Sequence, residues 1–236
     1  MGPNTWREED DWPLPDTQLR PYYLHSAGRA NTAAGNGALS TEAPGDEFED
    51  AYLYDPRHPV PTNGGATLIP GAFIAGPRDQ RGIETREDVL CYTTEPLERP
   101  TEVTGPVELV LFASCSARDT DFTAKLVDVY PSGRAESITD GILRACFRES
   151  LVKPVLMEPN QMYELHITVG ATSQVFETGH RIRLEITSSN FPRFDRNINT
   201  GGAIQTETEK GFVQALNRVY HDRAHPYLVL PIIERD

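Results

Sequence analysis

Lysine is nearly missing from this 236-residue sequence: only Lys125, Lys153 and Lys210 occur, against 35 Asp+Glu, and the formal net charge is −13. No nucleic-acid partner is expected, because neutralising phosphates requires clustered Lys and Arg. Long apolar runs are lacking too. The longest, Val107 to Cys115 and Tyr227 to Ile233, fall short of the roughly 18 residues that cross a bilayer as a helix, so no membrane partner is expected either. The stretch Met1 to Pro13 carries acids and tryptophans where an export signal has basic and then apolar residues. Cysteine is confined to Cys91, Cys115 and Cys146, far apart and without a C-x-x-C spacing, which predicts reduced thiols and a cytoplasmic location rather than a disulfide framework.

Catalytic patterns are equally scarce. No serine has glycine two positions away on both sides, so the nucleophile elbow of an α/β-hydrolase is not present. Cys115, between Ser114 and Ser116 on an apolar run, reads as inert packing. His221 and His225 have the spacing of half a zinc site, but no third ligand is near and Pro226 breaks the helical geometry that spacing needs. His166 and His180 suit surface and turn roles, and Asp119 and Asp121 suit turn and strand-start hydrogen bonding better than calcium. No catalytic residue, metal or cofactor is therefore expected, and no aromatic cluster announces a sugar site.

What is present is unevenly distributed. The first 60 residues hold 11 acids against four Arg, and the first 100 hold 12 of the 19 Pro and 10 of the 18 Gly, favouring extended segments and turns over long helices. Both tryptophans, Trp6 and Trp12, flank the acidic run Glu8 to Asp11. Each indole buries on the order of 150–250 Å² when packed, so this segment is expected to dock, either on its own domain or on a missing one.

Beyond residue 100 the periodicity is that of strands. Tyr163 to Val169 and Arg181 to Ile186 alternate apolar and polar residues, predicting strands with one buried and one wet face. Gly170 and Gly179 bracket the stretch between them, which is compatible with antiparallel neighbours. Phe122 to Tyr130, the turn Pro131-Ser132-Gly133-Arg134 and Gly141 to Arg148 read as strand, turn and returning strand. Val107 to Cys115, Leu228 to Ile233 and Asp88 to Tyr92 complete the expected strands, and Val213 to Tyr220 is open between strand and helix. The fold class that follows is all-β, a mostly antiparallel sandwich or jelly roll, since no amphipathic crossover of helix length separates the strands.

One loop, Ser188 to Gly202, is too rich in backbone-bonding side chains to be a passive connection. Phe191 and Phe194 supply burial, Arg193 and Arg196 supply forked donors, and Asn190, Asp195 and Asn197 supply further polar groups. It is either an internal brace or an interface to another domain.

Several stretches match a known pattern in order along nearly the whole chain: Met1-Gly2 with Trp6-Arg7 and Trp12-Pro13, Ala51 to Pro56 with Pro59 to Pro61, Asp79-Gln80, Arg86 to Thr93, Asp119 to Tyr130, Asp140 to Arg144, Gly179 to Arg181, Ser188 to Asn197, and His225-Pro226 with Leu230-Pro231. On these residues the sequence resembles the C-terminal domain of the X-prolyl dipeptidyl-peptidase and cocaine-esterase type of serine hydrolases, also written CocE/NonD, and most of all the cocaine-esterase branch. The resemblance implies a jelly-roll sandwich of the galactose-binding-domain-like kind, at residues 21–236, following an α/β-hydrolase domain that carries the Ser-Asp-His triad. Residues 1–20 would then be the lead-in from that domain, and Val213 to Tyr220 a strand. None of the triad residues can be carried over, so hydrolase activity belongs to the parent enzyme.

Trp6, Trp12, Asn190, Phe191, Arg193, Phe194, Asp195, Arg196 and Asn197 are the candidate interdomain residues. The expected partner is the α/β-hydrolase domain, with a second copy of the chain as a further option. The alternative function is a free-standing adaptor for carbohydrate or peptide.

Overall fold

Alternating side chains place apolar groups on one face of nearly every strand, and two such faces close on each other. A computed structural model describes residues 1–68, 74–204, 206–221 and 225–235. Its strands are β1 (Gln18–His25), β2 (Ala38–Ser40), β3 (Asp50–Tyr54), β4 (Leu90–Thr93), β5 (Thr101–Cys115), β6 (Asp121–Val129), β7 (Ala135–Arg144), β8 (Tyr163–Phe176), β9 (Arg181–Thr187), β10 (Ala215–Val219) and β11 (Tyr227–Ile233). Two three-residue 3-10 turns are the only helical elements among the described residues.

One layer is built on β5, which pairs with β8 along one edge and with β10 and β11 in succession along the other. Beyond these, β3 joins β10, and β1 and β2 extend from β11. The second layer runs β4, β9, β6, β7. All of these pairings are antiparallel; a parallel bridge, Ala38 to Thr93, links the layers. The core between them takes Val107, Leu109 and Leu111 from β5, Leu165 and Ile167 from β8, Leu228 and Leu230 from β11, and meets Phe122, Leu126, Ile182, Leu184 and Ile186 from the other layer. This is the mostly antiparallel β-sandwich that the period-two pattern predicts, and β10 resolves Val213 to Tyr220 in favour of a strand.

Four readings of the sequence are corrected. The strands at Tyr163 to Val169 and Arg181 to Ile186 are not neighbours: β8 pairs with β5, while β9 pairs with β4 and β6 in the opposite layer. Gly170 does not end β8 but carries a φ of +108° at a bulge opposite Val107 and Glu108. A Cβ there would sit 2.4 Å from the Thr139 hydroxyl, and one on Gly141 would sit 1.9 Å from the Thr168 carbonyl, so the two glycines let β7 and β8 touch, backbone to side chain at Gly170 and backbone to backbone at Gly141. The returning strand runs from Ala135 to Arg144 and stops there, with Ala145–Phe147 in a 3-10 turn.

The outer face of β9 is not wet. Described parts of the segment between β3 and β4 fold over it and are tied to β7 by Gln80 N–H donating to the Ala135 carbonyl (2.7 Å) and Ser137 N–H to the Arg78 carbonyl (3.0 Å). Beneath lie Arg183, bonded to Glu84 at 2.7 Å, and Glu185, 3.2 Å from Lys125.

Candidate interdomain surface

Residues 1–17 precede the first strand, and proline and acid content explains why no strand forms there. The segment is nonetheless anchored. Arg7 forks onto Glu102 with bonds of 2.6 and 3.0 Å, the bidentate geometry in which guanidinium and carboxylate bind best. Arg235 reaches the same carboxylate at 3.3 Å, and Glu9 lies 3.2 Å from Arg7 and 3.3 Å from Arg235. Glu102, at the start of β5, is only 7% exposed and also accepts from the Thr104 hydroxyl. The Arg7 fork holds its carboxyl down at about 2. Trp6 is 98% exposed, so its indole does not dock on this domain, and Trp12, 54% exposed, is only partly covered by it.

The loop Ser188 to Gly202 is treated the opposite way. Asn197 donates to Asp119 (2.9 Å) and Asp121 (2.7 Å), and its own carbonyl accepts from the Tyr54 hydroxyl (3.0 Å). Asn190 donates to Asp140 at 3.0 Å, and Arg193 pairs with the same carboxylate. Arg196 donates to the Pro56 carbonyl and lies over the Phe191 and Phe212 rings, and Arg193 over Phe194. Asn190 and Asn197 are buried, Phe191, Arg193, Phe194 and Arg196 half-buried, and Asp195 exposed. Asn190, Arg193, Arg196 and Asn197 are thus bonded within the sandwich, while Phe191 and Phe194 stay partly exposed and Asp195 is exposed.

The acids set aside as turn formers are buried: Asp119 also accepts from the Cys146 N–H, and Asp121 pairs with Arg144 through two bonds. Burial pushes the Asp121 carboxyl up against the pull of Arg144. His166 pairs with Glu164 on the surface and His180 with Asp128 at a turn, as the sequence suggests. His221 is a different case. It is fully buried, its Nε2 3.0 Å from Asp50 and its Nδ1 3.2 Å from the Leu24 carbonyl, while Tyr92, Ser26 and the Ala30 N–H also donate to Asp50. Nothing local in the sequence marks this network, whose members lie up to 197 residues apart. Residues 222–224, within the His221 to His225 motif, lie outside the described residues.

No group of three His, Cys, Asp or Glu able to hold a metal occurs among the described residues. The three cysteines are free and buried, and burial pushes the Cys115 thiol up to about 11 and that of Cys146 to about 12, leaving no reactive thiolate near neutrality. No described helix is long and apolar enough to cross a membrane.

A β-sandwich with a polar loop bonded mainly inward, and with two exposed indoles on an anchored lead-in, has the build of an accessory domain. The chain belongs to the family described as the X-Pro dipeptidyl-peptidase C-terminal non-catalytic domain, whose pattern matches residues 1–230. It is 54% identical to cocaine esterase from Rhodococcus sp. (strain MB1 Bresler) over all 236 residues, which is 41% of that protein. Among solved structures, an aminopeptidase from a marine sediment Thaumarchaeota archaeon superposes with a TM-score of 0.86 at 29% identity, covering 99% of this chain and 39% of the other. An α-amino acid ester hydrolase does so with the same score and identity, covering 98% and 40%. The chain therefore spans about two-fifths of each of these relatives.

Proposed function

We propose that this chain serves as the C-terminal β-sandwich of a serine hydrolase acting on esters or amides, stabilising an α/β-hydrolase domain and completing its surroundings. The observation that carries this reading is the match over the whole chain to a non-catalytic domain that makes up 41% of an esterase. The exposed indoles agree with it, because two large apolar side chains left in water are common at surfaces built for a partner and uncommon elsewhere. The free, buried cysteines support a reducing compartment, the cytoplasm.

The experiment is a domain exchange. Rhodococcus cocaine esterase trimmed of its own C-terminal two-fifths and joined to this chain regains soluble, ester-hydrolysing enzyme, while the 236-residue chain alone takes up no fluorophosphonate label. An insoluble or inactive exchange protein, or stoichiometric labelling of a serine in the isolated chain, overturns the proposal.

A further inference from the structure

Glu102 sits where three parts of the molecule meet. It opens β5, lies opposite Val175 of β8 and Ile233 of β11, and is almost fully buried. Its carboxylate takes bonds from Arg7, which directly follows Trp6 in the chain, and from Arg235, which lies just past the end of β11. Glu9 then bridges the two guanidiniums from outside. The result is a clasp of Arg7, Glu9, Glu102 and Arg235 that holds the lead-in segment at its middle, between the two tryptophans.

Such a clasp is more than a surface ion pair. Two cations on a single carboxylate, one of them bidentate, leave the Arg7 backbone little choice of direction. Its neighbour Trp6 therefore projects into solvent, as its 98% exposure records. The acids Glu8, Asp10 and Asp11 project from the same stretch. A surface that receives this segment needs apolar seats for two indoles and Lys or Arg around them.

We propose that Glu102 is a positioning residue: by gripping Arg7 and Arg235 it fixes the course of residues 1–17, so that Trp6 and Trp12 stand as a preformed ridge on which the α/β-hydrolase domain seats. The inference rests on the function proposed above. The catalytic domain is the occupant chosen because the family is a C-terminal accessory domain and the chain covers 41% of an esterase, with the remainder of that enzyme available to cover the ridge.

Trp6 and Trp12 are the only tryptophans in the chain, so intrinsic fluorescence reads the ridge directly. In the isolated chain, Arg7→Ala and Glu102→Gln lower the steady-state anisotropy of the indoles while far-UV circular dichroism is unchanged; Arg7 is on the surface, so its replacement leaves the core intact. In the exchange protein, Glu102→Gln shortens the half-life of thermal inactivation about fivefold, the size of a lost charge-assisted contact. The same substitution has no further effect in a Trp6→Ala/Trp12→Ala background, because clasp and ridge act as one unit.

Unchanged anisotropy in both variants overturns the proposal, as does an effect of Glu102→Gln that simply adds to that of the tryptophan pair, which is what a purely structural glutamate gives. Failure of the unsubstituted exchange protein counts instead against the proposed function, and the anisotropy arm still decides the clasp.

Discussion

The lead-in segment and the Ser188 to Gly202 loop are both polar, both carry aromatics, and both invite the same reading as an interface, yet the sandwich uses them oppositely. In the loop, donors are matched to buried acceptors, as with Asn197 between Asp119 and Asp121. In the lead-in, charges bond at one buried point, Glu102, and the aromatics are left outside. The carboxylates beside each segment show the difference in their protonation. Arg7 and Arg235 hold Glu102 down at about 2, whereas burial pushes Asp121, which the loop's Asn197 bonds, up despite Arg144. A brace is a place where burial dominates; a clasp is one where pairing does.

The largest effect that sharpens this contrast is expected from Asn197→Leu. It strips donors from two buried carboxylates and lowers unfolding stability by about 3 kcal/mol, read as a fall in the urea midpoint. If the loop is a brace, no partner domain is needed to see that loss. A change below about 1 kcal/mol returns the loop to the status of an interface.

Next comes pH. An unfolded glutamate releases its proton near 4.5, while folded Glu185 keeps it to about 7. Between those values the folded state binds the extra proton, so this residue makes stability fall as the pH rises through the window. Glu102 has the opposite sign: its contribution is full above 4.5 and is lost only as the pH falls toward 2. Urea titrations from pH 4.5 to 7.5 check this, and Glu185→Gln flattens the slope while Arg7→Ala does not.

Smaller effects belong to the lead-in. Arg7→Ala costs about 1–2 kcal/mol of the isolated chain's stability, less than Asn197→Leu, since Arg7 is partly exposed and Arg235 still pairs with the buried Glu102. Trp6→Ala changes it by less than about 0.5 kcal/mol, because a side chain that is 98% exposed has little native packing to lose. A Trp6→Ala loss as large as that of Asn197→Leu erases the distinction between the two segments.

Much of the fold was legible because a strand's two faces differ every second residue. Leu184 and Ile186 point to the core as their spacing says, and the Pro131 to Arg134 turn returns β6 into β7. Strand partnership was not legible: β8 and β9 are adjacent in sequence and lie in different layers, since Gly170 bends β8 through a bulge and does not end it. The candidate site was half legible. Two tryptophans beside four acids mark the lead-in in sequence, but its anchor Glu102 lies 95 residues from Arg7 and looks like any alternating strand acid.

By itself the sequence determined that this is an all-β chain without a nucleophile elbow, because periodicity and motif spacing are local properties that survive without knowing what lies across the sheet. Only the tertiary structure decided which polar residues are structural. His221 with Asp50, Arg183 with Glu84 and Asn197 with Asp119 are joined across 171, 99 and 78 residues, and the outer face of β9 is dry because a distant segment covers it. Burial sets the strength of a charge or hydrogen bond, and burial is conferred by neighbours in space.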